Sequence, residues 1–292
     1  MVEHIRPSVL VIAGPTASGK SAFAMEKART CNGVIINADS LQIYKALPQL
    51  TAAPTPEDMA HIPHKLYGVL SPNEAITAQG WAQMVLPIIE DTYNQGQQPI
   101  LVGGNGFYLK TLMEGLSPVP EFPAATRIVV QDLMDRIGID DFFKQLQDID
   151  PVLCEKIDRH NPQRLMRAME VYIGSGKPLS YWQSLPTVPL NAALHFETHI
   201  MIPERDALYA RCNARLEAMV KNGVLDEVRA FDDDILAGRV SIESPCLHAL
   251  GFTAFQEHVR GELNIETALY MAQNETRHYA KRQVTWFRNQ MS

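Results

Sequence analysis

Residues 14–21 read Gly-Pro-Thr-Ala-Ser-Gly-Lys-Ser, the G-x-x-x-x-G-K-S spelling of a phosphate-binding P-loop. The backbone N–H groups of such a loop, with the start of the helix that follows, form a nest for phosphate oxygens. Lys20 would reach the outer phosphate and Ser21 would bind Mg²⁺. The spelling leaves open whose phosphates are held. An ATPase, a small-molecule kinase and a transferase using another diphosphate all fit it. A second group is Ala38-Asp39-Ser40-Leu41-Gln42-Ile43-Tyr44. Asp39 there suits an Mg²⁺ ligand, a base acting on an attacking group, or a helix N-cap. A third, Leu101-Val-Gly-Gly-Asn-Gly-Phe-Tyr-Leu109, has glycines that let backbone approach a ligand, and Asn105 offers a hydrogen bond.

Two further stretches carry positive charge. In Asp158-Arg-His-Asn-Pro-Gln-Arg-Leu-Met-Arg-Ala-Met-Glu-Val171, Asn161 and Pro162 suit a helix start. Arg164 and Arg167 then share one face, which on its own reads as a solvated face. Arg277-His-Tyr-Ala-Lys-Arg-Gln-Val-Thr-Trp-Phe-Arg288 opens a C-terminal run with four basic residues and no acid. Its Tyr279, Trp286 and Phe287 add stacking surfaces to the charge, the mixture that suits nucleic acid. Arg211 and Arg215 lie one helical turn apart and can neutralise further phosphate charge. His61 with His64, and His195 with His199, have metal-like spacing, but no carboxylate or thiol completes a ligand set.

Elements must bring these groups together. Val9–Ala13, Val34–Asn37 and Ile100–Val102 are short apolar runs ended by Gly or polar residues, the pattern of buried parallel strands. Helical patterns cover Ser21–Arg29, Thr77–Asn94, Phe107–Leu112, Arg205–Asn222, Asp226–Ala237 and Ile265–Asn289, and a strand is expected at Phe196–Ile202. Alternating strands and helices indicate an α/β, P-loop NTPase-like parallel sheet core. Ligands of such sheets bind at the C-terminal strand ends, so the three turns should meet there. Proline-rich connectors at Ser117–Pro123 and Leu185–Leu190 bracket a helical block, which reads as an inserted all-helical domain over residues 118–190. The core would then be residues 1–117 and 191–292.

The 292 residues are 46% hydrophobic, enough for a substantial core, and no apolar run approaches a membrane span. MVEHIRPS shows no signal-peptide pattern. Four scattered cysteines without a C-x-x-C fit a reducing cytoplasm. With a net charge of -7, nucleic-acid binding must rest on local patches. Nothing suggests an obligate interface, so a monomer is expected.

Taken in order, the motifs resemble the tRNA dimethylallyltransferase family, which attaches a dimethylallyl group to N6 of the adenosine next to the anticodon. That family shows GPTASGKS, DS-x-Q-x-Y, V-G-G-T-G-x-Y, N-P-x-R-x-x-R-A-x-E-V and K-R-Q-x-T-W. This chain carries nearly all of them between Gly14 and Trp286. The family's Thr in the Gly-rich turn is Asn105 here, and its G-T-A-K-P is Leu50-Thr-Ala-Ala-Pro54, with Ala53 in place of Lys. The C-terminus stops short of the zinc-finger tail of eukaryotic relatives, as bacterial ones do.

The resemblance implies a P-loop reused without ATP. Gly14, Pro15, Thr16, Ala17, Ser18, Gly19, Lys20 and Ser21 would hold the diphosphate of dimethylallyl diphosphate, with Mg²⁺ on Ser21. Asp39, Lys20, Thr16 and Arg215 would be catalytic, Asp39 accepting or orienting a proton of the adenine amine. The tRNA anticodon stem-loop would meet Asp39, Ser40, Leu41, Gln42 and Asn105 at the reacting base. Arg127, Gln163, Arg164, Leu165, Met166 and Arg167 would contact it from the inserted block. Lys281, Arg282, Gln283, Trp286 and Arg288 would do so from the C-terminal helix. An ATP-dependent kinase and an enzyme prenylating free adenine nucleotides are the alternatives.

Overall fold

A computed structural model describes residues 8–191 and 193–291 of the chain. The N-terminal segment read above for a targeting signal lies largely outside the described residues. Five strands form one sheet: β1 Ser8–Ala13, β2 Gly33–Asn37, β3 His64–Lys65, β4 Gln98–Gly103 and β5 His195–Ile200. Their order is β3-β2-β4-β1-β5, and every pairing is parallel. Val11, Ile12, Ile36, Ile100 and Leu101 are fully buried. Burial on both faces is why these strands read as continuous apolar runs.

β4 lies between β1 and β2, with Ile100 opposite Leu10 on one side and Ile35 on the other. The chain leaving β1 must therefore pass over β4 to reach β2. That crossover opens a crevice at the C-terminal edge of the sheet. The P-loop, the Asp39 turn and the Gly-rich turn all lie on that edge, following β1, β2 and β4.

The expected helices form as α1 Lys20–Thr30, α3 Ala78–Asn94, α4 Gly106–Glu114, α9 Arg205–Lys221, α10 Val224–Leu236 and α12 Ile265–Gln290. The Thr77 side chain caps α3 by accepting from the Gly80 amide (3.0 Å). Three elements escape the periodicity: α2 Pro56–His61, a 3-10 turn at Pro245–His248, and α11 Phe252–Val259. Segments this short gain little from helix propensity and form through packing. The two-residue β3 has no apolar run of its own and exists only by pairing with β2. β5 ends at Ile200 rather than Ile202, because its partner β1 ends opposite it at Ala13 and turns away into the P-loop.

The chain divides into two compact units, Met1–Met113 with Asn191–Ser292, and Glu114–Leu190. The second unit is helical: α5 Ala124–Ile149, broken at Gly138 (φ 75°), α6 Pro151–Cys154, α7 Pro162–Ser175 and α8 Leu179–Ser184. Val130, Phe142, Leu146 and Leu165 form its core. Each large apolar side chain so buried contributes about 1.5–3 kcal/mol. Asn161 caps α7 by accepting from the Arg164 amide (3.2 Å). Buried Asp150 joins two helix starts, accepting from the Leu153 and Ser180 amides (3.1 and 2.9 Å).

Candidate active site

The P-loop begins where β1 must turn sharply. Gly14 takes φ 152°, and a Cβ there would lie 2.3 Å from the Met201 carbonyl oxygen, so no side chain fits. Ala17 sits in the left-handed region at φ 59°, a backbone state that turns successive N–H groups inward. The helix α1 that follows has no side-chain cap, so its first N–H groups are left for a ligand.

Around this loop lies a cavity of about 780 Å³ within the sheet-containing unit. Its lining includes the P-loop from Thr16 to Ser21 with Arg211 and Arg215 of α9. Tyr44, Leu50, Ala52, Tyr67, Ile76, Tyr108, Leu216 and Leu250 add apolar and aromatic surface. Asp39 and Gln42 border the same space. The cavity lining thus combines cationic, donor-rich groups with apolar and aromatic ones.

Burial sets the electrostatics of the cationic groups. The Lys20 ammonium donates to the Pro15 carbonyl (2.7 Å). Loss of water pushes its pKa down from 10.5 to about 8, with the Asp39 charge opposing that and the Arg215 charge adding to it. Arg215 donates from Nη2 to Thr16 Oγ1 (2.7 Å), while its Nε is buried without a partner. Burial lowers its pKa as well. Ser18 Oγ and Thr276 Oγ1 are likewise buried and unpaired. Orphaned polar atoms at the edge of a cavity suit a ligand rich in oxygens. Arg211 Nη1 donates to the Ser18 carbonyl (3.2 Å).

Asp39 fills one of the roles its sequence allows, that of a cap. Its Oδ1 accepts from the Leu41 and Gln42 amides (2.9 and 3.3 Å) and so caps the turn after β2. Oδ2 takes no part in those bonds. Asn37, which spacing did not single out, fixes the backbone beneath. Its side chain accepts from the Asp39 amide (2.8 Å) and donates to the Asp39 and Leu66 carbonyls (3.1 and 3.0 Å). Tyr108 and Tyr279 are each pushed up to about 12, by burial first and by other charges, Asp39 among them. Tyr67 rises further for the same reason. These phenols stay protonated and remain hydrogen-bond donors.

The loop Leu50–Ala52 is held from two sides. Gln42 Nε2 donates to the Thr51 and Ala52 carbonyls (2.9 and 3.0 Å). Glu227 of α10 accepts from the Gln49 and Leu50 amides (2.8 and 2.9 Å), and burial raises its pKa against those two bonds. Glu227 also escaped the sequence reading, since only a long-range contact gives it a task. Asn105 caps α4 by accepting from the Tyr108 amide (3.2 Å), which Thr would do equally well. That explains how Asn replaces Thr in the turn.

Residues expected at an RNA surface fall into two groups. Lys281, Arg282, Arg288, Gln163, Arg164 and Arg167 are exposed. Arg282 lies over the Tyr279 ring (5.5 Å), and Arg127 and Arg167 reach Glu170 (3.9 and 3.3 Å). Ser40, Leu41 and Met166 are half-buried. Leu165 is fully buried in the helical core, so its side chain packs and cannot touch RNA. Trp286 is half-buried against the Gly-rich turn. A Cβ on Gly106 would lie 2.0 Å from its ring. Gln283 is buried and bonded on both sides, donating to the Gly104 carbonyl and accepting from the Thr16 amide (2.8 Å each).

Sheet order, phosphate loop and cavity define a P-loop α/β protein. The chain belongs to the IPP transferase family, whose sequence pattern matches residues 42–290. Related sequences extend the match through the P-loop. A tRNA dimethylallyltransferase of Paramagnetospirillum magneticum is 46% identical, covering 100% of this chain and 90% of the relative. One of Phenylobacterium zucineum is 41% identical over 99% and 92%. A eukaryotic dimethylallyltransferase acting on tRNA superposes with TM-score 0.79 at 26% identity, over 96% of this chain and 69% of that one. The tRNA delta(2)-isopentenylpyrophosphate transferase of Staphylococcus epidermidis gives 0.66 at 29%, over 98% and 92%.

Proposed function

We propose that this protein transfers a dimethylallyl group from dimethylallyl diphosphate to N6 of the adenosine next to the anticodon of tRNA, releasing diphosphate. The observation that carries the reading is the mixed lining of one cavity: P-loop and cationic donors for a diphosphate, apolar and aromatic side chains for a five-carbon tail, and Asp39 among them. The tRNA dimethylallyltransferases to which the chain is similar agree with it.

The chain's own groups account for the chemistry. P-loop N–H groups, Lys20 and Arg215 hold the diphosphate, and their attraction grows as the allylic C1–O bond breaks and charge gathers on the leaving group. The electron pair of that bond leaves with the diphosphate. The adenine amine forms the new N6–C1 bond and gives up a proton, which Asp39 accepts through the oxygen its turn leaves free. Tyr67 and Tyr108 line the same cavity. The amine is a weak nucleophile, so alignment supplies much of the rate. To reach this cavity the base must leave its stack.

Mg²⁺ fits the donors present. The Ser21 hydroxyl borders the cavity, and this ion needs only one or two protein oxygens beside substrate phosphates. When bound, it would neutralise charge on the departing diphosphate. Lys281, Arg282 and Arg288 on α12, with Arg127, Gln163, Arg164 and Arg167 on the helical unit, would hold the anticodon stem-loop by its phosphates. A cytoplasmic setting belongs to the same reading, supported by the free thiols Cys31, Cys154, Cys212 and Cys246.

The test is mass spectrometry of nucleosides from tRNA incubated with the protein, dimethylallyl diphosphate and Mg²⁺. A gain of one dimethylallyl group on adenosine is expected. Unmodified tRNA, with ATP stabilising the protein against heat better than the prenyl donor does, would return the site to the kinases.

A further inference from the structure

The family resemblance implies that Gln283 touches RNA. The structure gives its amide another task. Oε1 accepts from the Thr16 amide and Nε2 donates to the Gly104 carbonyl, both at 2.8 Å. These partners lie 267 and 179 residues away in sequence, on two different strand-end turns. Gly104 has the space for this: a Cβ there would lie 2.5 Å from Nε2. One buried amide therefore ties the start of the phosphate loop to the Gly-rich turn, and both to α12.

Thr16 is held by a second bond. While Gln283 fixes its backbone N–H, Arg215 Nη2 donates to its hydroxyl at 2.7 Å. Arg215 is thus aimed through a residue whose backbone Gln283 holds. Residues 272, 276, 280, 283 and 287 of α12 are buried and make its inner face, while Lys281, Arg282 and Arg288 are exposed. Gln283 therefore faces the loop and the cavity.

We propose that Gln283 is a positioning residue for the phosphate loop, setting Thr16, and through it Arg215, for the diphosphate, and that it does not read RNA. The inference rests on the reading of the loop as a diphosphate site. Removing the amide leaves the Thr16 N–H and the Gly104 carbonyl buried without partners, and the loop must shift to satisfy them. A carboxylate in its place could still accept from Thr16 but could not donate to Gly104. It would also put negative charge beside the diphosphate. Protonated, it would do both jobs again, and burial favours that form.

Inorganic pyrophosphate with Mg²⁺ and unmodified tRNA are the probes, measured separately by calorimetry and filter binding on the full chain. Gln283→Met is expected to weaken pyrophosphate binding and lower kcat by about 10- to 100-fold, with tRNA affinity kept within about twofold. Gln283→Glu should approach wild type as pH falls from about 8 to about 6, the ratio of the two pyrophosphate affinities closing. That ratio is a readout a merely structural role would not move, and it stands if Gln283→Met fails to fold. Wild type that holds no pyrophosphate sinks the reading of the site itself. Wild-type binding that Gln283→Met matches, weakened tRNA binding in its place, or a pH-independent Gln283→Glu ratio overturns this inference alone.

Discussion

At the scale of single residues, Asp39 and Lys20 show how one side chain is asked for two things. Asp39 caps its turn through Oδ1, and an Asn would still accept from the Leu41 and Gln42 amides. Asp39→Asn should therefore keep the melting temperature while turnover falls by about 10² or more, the scale of a lost acid–base group. Asp39→Ala should add a stability loss of about 1 kcal/mol. Near-normal turnover in Asp39→Asn would leave the residue a cap alone. Lys20 gives a pH dependence. Burial lowers its pKa to about 8, below the ordinary 10.5. As pH rises through 8 the site loses this charge, whereas a bound diphosphate would hold the proton in place. Donor affinity should thus fall above pH 8, by about tenfold per unit at the steepest, with a proton taken up on binding. Calorimetry in two buffers of different ionisation heat measures that uptake. Lys20→Met should bind weakly and without this dependence, and a flat wild-type profile would contradict the assignment.

At the scale of elements, two contacts lock helices that the active site depends on. Asp232 of α10 accepts from Arg260 Nε and Nη2 (2.8 and 2.6 Å) and from Gln256 Nε2 (2.7 Å), fastening α10 to α11. The hydrogen bond from Arg260, ahead of the opposing burial, holds its carboxyl below the usual range. A carboxyl with a depressed folded pKa contributes stability that is complete above the unfolded value. It is lost as pH falls through the folded one. Asp232→Asn should flatten that acid limb in pH-dependent melting, and cost about 1–3 kcal/mol at neutral pH, kept modest because Arg260 is 38% exposed. An acid limb identical to wild type would show that the pair does not govern it. The second contact is Trp286 on Gly106. Gly106→Ala should destabilise by about 1–3 kcal/mol through overpacking against the ring. In a Trp286→Ala background the same change should be nearly silent, and a double-mutant cycle of denaturation midpoints measures that coupling.

At the scale of the whole molecule, a net charge of -7 sits beside an exposed row of Lys281, Arg282 and Arg288. A free nucleotide needs neither this row nor the arginines of the helical unit, whereas a stem-loop presents many phosphates. Transfer to tRNA with little to AMP or ATP is therefore expected. Each basic side chain on a phosphate adds slightly under one unit to the slope of log K against log salt. Changing Lys281 and Arg282 to Ala should weaken tRNA binding and flatten that slope by about one to two units. Donor affinity should stay near wild type. Efficient prenylation of AMP, with tRNA binding indifferent to salt, would move the protein to the nucleotide-modifying reading.

The sequence by itself determined the parallel α/β core, because strands buried on both faces must be apolar throughout, as Val9–Ala13 and Ile100–Val102 are. It also determined the phosphate loop, because Gly14, Lys20 and Ser21 have local reasons for their spacing. The cap at Asn161 was legible on the same ground, lying within three residues of the amide it serves. Only the tertiary structure decided which side chains finish the site. Gln283 meets Thr16 across 267 residues, Glu227 meets Gln49 across 178, and Arg215 meets Thr16 across 199. No periodicity records such pairs, since their spacing is set by how helices pack on the sheet. Burial separated Leu165 from Arg164 and Gln283 from Arg282, neighbours in one motif. On a helix, adjacent residues point about 100° apart, so one enters the core while the next meets water.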